Sequence, residues 1–171
     1  MFVDYLRLVL FAIGLLAGVQ TPGFIDQYAK RVSAHQIEVA QNFSGFQQTA
    51  DRYFGGSVEA LLAHHAASPD PPIQQEGLVI RAMYERLTAL TAELAALRGP
   101  LITQIVHVAL SPNRDILAET RAAYSYTVPL NPAAILSGVV AGALLALCVE
   151  ALCRGLWYLI RPARHARVAA R

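Results

Sequence analysis

The chain is apolar at both ends, and this constrains its fold more than any other feature. One run extends from Phe2 to Val19 and another from Leu130 to Ile160, with a more polar stretch between them. A helix needs about 20 mostly apolar residues to cross a hydrocarbon core of about 30 Å, so each run predicts a membrane-spanning helix. With 171 residues, 55 % of them apolar, and a mean hydropathy of +0.39, the chain is too apolar for an ordinary water-soluble domain and too short for several domains.

Charge predicts the orientation. Between Phe24 and Val128 there are 8 Lys/Arg and 10 Asp/Glu, whereas Arg154, Arg161, Arg164, Arg167 and Arg171 follow Glu150 with no acid among them. Basic residues within about 20 positions of a span hold that end in the cytoplasm, so the C-terminus is expected inside and, with two spans, the N-terminus as well. The middle is then exported, into the periplasm if the source is a Gram-negative bacterium. Its slight net acidity suits neither nucleic acid nor anionic lipid headgroups. The first run lacks a basic leader and a small-x-small cleavage site: Asp4 offsets Arg7, and the run closes on Ala17-Gly18-Val19-Gln20. It is therefore expected to be an uncleaved anchor. Cys148 and Cys153 lie five residues apart, which turns them about 140° from each other on a helix; they are expected to be small apolar fillers, with no disulfide or shared metal.

The pattern between the spans predicts helices throughout. Gln20-Thr21-Pro22-Gly23 reads as a break or kink after the first span. Beyond it Ile25, Tyr28, Val32, Val39, Phe43, Phe46, Ala50 and Tyr53 follow steps of three and four, with His35 filling the gap, a coiled-coil-like spacing. Gly55-Gly56 stops this helix and Ser57 caps a short one. Ser68-Pro69-Asp70-Pro71-Pro72 is a turn, and Met83, Leu87, Leu90, Leu94, Leu97 and Leu101 predict a helix that returns alongside the first. Gly99-Pro100 and Ser111-Pro112 punctuate the return path, and the second reads as a cap opening a helix from Asn113 to about Thr127. Tyr124 and Tyr126 at one boundary, and Glu150, Arg154, Trp157 and Tyr158 at the other, are expected to mark the edges of the second span. The expected fold is all-α, with two transmembrane helices and a periplasmic helical hairpin or small bundle. The expected divisions are a first span at 1–23, a periplasmic domain at 24–128, a second span at 129–160 and a basic cytoplasmic tail at 161–171.

The sharpest local motif lies in the spans. Ala134, Gly138, Gly142 and Ala146 recur every four residues in the second, and the first carries Gly14 and Gly18. In lipid, apolar burial does not drive helices together, and small residues allow the close backbone approach that does. The two spans of one chain are expected to pack on these stripes, with self-association or another membrane protein as the alternative. His35, His64, His65 and His107 lack metal-ligand spacing, and no phosphate loop, nucleophile elbow or zinc-protease motif occurs. Glu76, Glu85 and Glu93 share a helix with Arg81, Arg86 and Arg98 and read as a solvated, salt-bridged face. No cofactor and no enzyme activity is expected.

Three segments, Gln20 to Tyr28, Thr49 to Gly56 and Tyr126 to Leu130, resemble a family of small proteobacterial two-span inner-membrane proteins of unknown function, DUF2937. The resemblance implies two spans and a helical middle, and carries no catalytic or ligand residue. The leading expectation is a non-enzymatic scaffold or accessory subunit working through its periplasmic helices. A ligand-sensing bundle that signals through a partner is the alternative, and an enzyme with scattered catalytic residues is a third.

Overall fold

The computed structural model describes residues 2–125 and 131–160, with side chains over 5–125 and 131–155. Every regular element among these residues is helical: α1 (Phe2–Tyr53), α2 (Val58–Ala66), α3 (Pro71–Ala96), α4 (Leu101–Leu110), α5 (Arg114–Ala122) and α6 (Pro132–Ile160). Two of them, α1 and α6, contain stretches long and apolar enough to cross a membrane, with mean hydropathies of 1.9 and 2.3 over those stretches. The chain divides into two compact units. The first is Met1–Phe24 with Tyr124–Arg171, and the second is Ile25–Ala123.

In the first unit α6 packs on the opening turns of α1 through backbone approach. A Cβ placed on Gly14 would meet the Gly142 Cα at 2.8 Å, and one on Gly18 would meet the Ser137 carbonyl oxygen at 2.6 Å. Only hydrogen at these Cα atoms permits such a crossing. The expected break at Pro22 does not occur, since α1 continues through it as a single helix of 52 residues. Proline cannot donate to the carbonyl four residues back, which here is Gly18. The Ser137 hydroxyl on α6 reaches that carbonyl at 2.7 Å, sharing its proton with the Ala134 carbonyl at 2.9 Å, and the Thr21 hydroxyl bonds the neighbouring Ala17 carbonyl at 3.1 Å. With a hydroxyl serving the carbonyl that Pro22 leaves unpaired, the helix continues.

The second unit is a small bundle. Phe43, Ala50, Val58, Leu61, Leu62 and Ile80 form its main apolar cluster, drawn from α1, α2 and α3. Phe43 stacks on Tyr84 at 5.6 Å, while fifteen residues earlier Tyr28 meets Glu93, so α3 runs antiparallel to this part of α1. Ile25, Tyr28, Val32, Val39, Phe43 and Ala50 are buried as their spacing predicts, but Tyr53, the last residue of the helix, is 70 % exposed. Gly55 and Gly56 take φ of +60° and +85°, the left-handed geometry that reverses the chain. The Ser57 hydroxyl then caps α2 by accepting from the Ala60 N–H at 3.1 Å.

Two boundaries differ from the expectation. Leu101 opens α4 instead of continuing α3, because Gly99-Pro100 interrupts the helix. α5 is capped by Asn113, whose side chain accepts from the Ile116 N–H at 3.2 Å, so the cap lies two residues beyond Ser111. That helix stops at Ala122, and the expected end near Thr127 lies outside the described residues.

Candidate functional site

Within the first unit the residues of both small-residue stripes come together. Gly138 lies against Val19 and the Leu15 carbonyl, and Gly142 against the Phe11 carbonyl, where an added Cβ would sit 2.8 Å away. Ala134 is fully buried and Ala146 is 9 % exposed. The faces turned away from this seam are large and apolar: Leu8, Val9, Ile13 and Leu16 on α1, and Leu136, Val140, Leu144 and Leu147 on α6 are all between 48 % and 65 % exposed. At one end Arg7 lies 3.7 Å from Glu150, which also pairs with Arg154 at 2.6 Å. Near Gln20 the Tyr124 hydroxyl donates to the Gln20 carbonyl at 3.1 Å and its ring meets Phe24 edge-on at 5.3 Å. Cys148 and Cys153 are exposed rather than packed as fillers. The side chains of Trp157 and Tyr158, together with Tyr126, Arg161, Arg164, Arg167 and Arg171, lie outside the described residues.

The second unit holds two polar clusters on one face of α1, contributed by Tyr28, Arg31 and His35. In the first, the fully buried Tyr28 donates its hydroxyl to Glu93 Oε1 at 2.5 Å and accepts from the Asn113 N–H at 2.8 Å. His107 Nε2 donates to the same carboxylate oxygen at 2.9 Å. Burial, and then the bond to Glu93, hold the Tyr28 hydroxyl well above the ordinary tyrosine range, so it is a firm proton donor. This cluster ties α1, α3, α4 and the start of α5 together. Glu93 is therefore not part of a solvated face: its side chain is 11 % exposed, because its partners come from other helices.

In the second cluster Glu119 of α5 accepts from Arg31 at 2.6 Å and from His35 Nε2 at 2.8 Å. The His35 bond, followed by Arg31, holds its carboxyl below the usual range. Beside it opens a recess of about 450 Å³ lined by His35, Arg86, Leu90, Asn113, Asp115 and Glu119. Among the described residues Arg86 and Asp115 form no ion pair. Neither cluster is legible in the sequence, because each pairing joins residues at least 14 positions apart. The available signal was Tyr28 and His35 standing inside an otherwise aliphatic and aromatic stripe. Among the described residues no group of three or more His, Cys, Asp or Glu is placed to hold a metal ion.

No curated protein and no solved structure matches the chain. A family model does, over residues 2–162, and it takes in both stripes of small residues and both polar clusters. The chain belongs to the family described as Protein of unknown function (DUF2937).

Proposed function

We propose that this is a two-span integral protein of a bacterial inner membrane, with both termini in the cytoplasm and Ile25–Ala123 in the periplasm, acting as a non-enzymatic interaction or scaffold subunit. One observation carries the membrane part. The helices meet on their small residues and turn their large apolar side chains outward, the reverse of a water-soluble pair. Only 22 % and 17 % of the two apolar stretches are buried, which argues against core helices of a soluble fold. The basic residues from Arg154 onward support the orientation. For the scaffold role, the support is that Tyr28, Glu93 and His107, and likewise Arg31, His35 and Glu119, spend their polar groups on one another and so fix the bundle's shape. Purification of the full chain in mild detergent, with mass and composition measured, tests this reading. A defined complex with itself or another membrane protein is expected, and a strict monomer without a companion contradicts the scaffold role.

The recess beside Glu119 favours a second reading, a ligand-sensing bundle, because Arg86 and Asp115 offer opposite charges to a small polar molecule. Thermal stabilisation of the full chain in detergent by such a molecule, lost in Arg86→Ala, would select this reading over the first.

A further inference from the structure

α4 is amphipathic in the wrong sense for a helix in water. Its inward positions include buried Val108 and His107, which bonds Glu93, whereas its exposed positions are Ile102, Thr103, Val106, Ala109 and Leu110. Ile102, Val106 and Leu110 form a row at i, i+4 and i+8 and are 66 %, 49 % and 78 % exposed. The exposed face carries no charge. The outer face of α3, by contrast, carries Arg81, Glu85 and Arg86.

We infer that the Ile102, Val106 and Leu110 face of α4 lies in the surface of the lipid bilayer. Three observations select lipid over a protein partner. The first is tethering. His107 and Asn113 are bonded to the Tyr28–Glu93 pair, and Tyr28 is only four residues along the chain from Phe24, where the spanning unit ends. The residues that bond α4 and the start of α5 thus lie close in sequence to the end of the spanning unit. The second is charge. The helix is flanked by Arg98 and Arg114, both exposed and in no ion pair among the described residues, and guanidinium groups there suit lipid phosphates at either end of an apolar strip. The acidity of the unit as a whole works against general attraction, so any lipid contact should be confined to this strip. The third is size. Ten residues make a helix of about 15 Å, too short to span. Three side chains also cover far less than the ~800 Å² per partner of a stable protein interface, whereas an interfacial helix needs only to sink its apolar face some 5–10 Å.

The inference rests on the membrane-spanning reading, so its test reports on both separately. The full chain, with Cys148 and Cys153 replaced by alanine, is reconstituted in vesicles of phosphatidylethanolamine and anionic phosphatidylglycerol. Spin labels are placed in turn at Ile102→Cys, Val106→Cys, Leu110→Cys, Thr88→Cys on the outer face of α3 and Leu144→Cys on α6. Collision with oxygen, which partitions into lipid, is compared with collision with a water-soluble nickel chelate. The expected result is oxygen preference at the three α4 positions and at Leu144→Cys, with chelate preference at Thr88→Cys. Chelate preference on α4 while Leu144→Cys stays in lipid overturns this inference alone, and chelate preference at both overturns the spanning reading too. Labels on α4 that are immobilised and shielded from both reagents mean a protein contact, which also overturns it. The labelled positions are exposed in the fold, so failure to fold does not offer an escape.

Discussion

The hydroxyl of Ser137 on α6 donates to the carbonyl of Gly18 on α1 at 2.7 Å, and that carbonyl is the one Pro22 leaves without its helical donor. A proline that would end a helix in water is carried inside one here because the neighbouring helix supplies the missing proton. The same contact fixes the register in which Gly18 meets Gly138.

Ser137→Ala should therefore weaken the pairing of α1 and α6 by about 1 kcal/mol, since an unpaired carbonyl remains in an apolar setting. In a Pro22→Ala background the loss should be smaller, because residue 22 then donates to Gly18 itself. A double-mutant cycle read by unfolding in detergent checks this, and strictly additive effects would contradict it.

Gly138→Ala and Gly142→Ala place a methyl against the backbone carbonyls of Leu15 and Phe11. Each should cost about 1–3 kcal/mol through forced separation of the helices. Gly45→Ala, where a Cβ meets nothing within 4 Å, is the matched control and should cost nothing measurable.

Tyr28→Phe removes the hydroxyl shared by Glu93 and Asn113 and should destabilise the bundle by about 1–3 kcal/mol. Because folding raises the Tyr28 pKa, its contribution is fully present below the ordinary tyrosine value of about 10 and is lost as pH rises beyond it. Thermal unfolding of the wild type should thus fall off more steeply above that pH than that of Tyr28→Phe.

Glu119 has the opposite sign. Its bonds to His35 and Arg31 lower its pKa, so its contribution is present above the ordinary glutamate range and is lost as pH falls through and below it. Glu119→Gln should flatten the stability curve on the acid side. Equal slopes for wild type and variant would show that these bonds add nothing.

The helices were legible where periodicity carries a single meaning. The α1 stripe from Ile25 to Ala50 is buried as its spacing predicts, and Gly55-Gly56 with Ser57 marks a turn and a cap through local backbone chemistry alone. Of the break or kink expected at Pro22 the break does not occur, because the rule that proline ends a helix assumes no outside donor, and Ser137 lies 119 residues from Gly18. Glu93 was misread for a related reason: its helix looks solvated by composition, and only the fold brings Tyr28 and His107 to it. Asn113 displaced Ser111 as a cap because side chain and backbone geometry, rather than residue type, decide between neighbouring candidates.

Two spans with the helical bundle on the opposite side from both ends predict a definite pattern of cysteine accessibility in intact spheroplasts. With Cys148 and Cys153 removed, a membrane-impermeant maleimide added from outside should label Thr88→Cys, and should reach a cysteine placed after Arg167 only once the membrane is permeabilised. Labelling of the C-terminal position in intact cells, or protection of Thr88→Cys until lysis, would contradict the account.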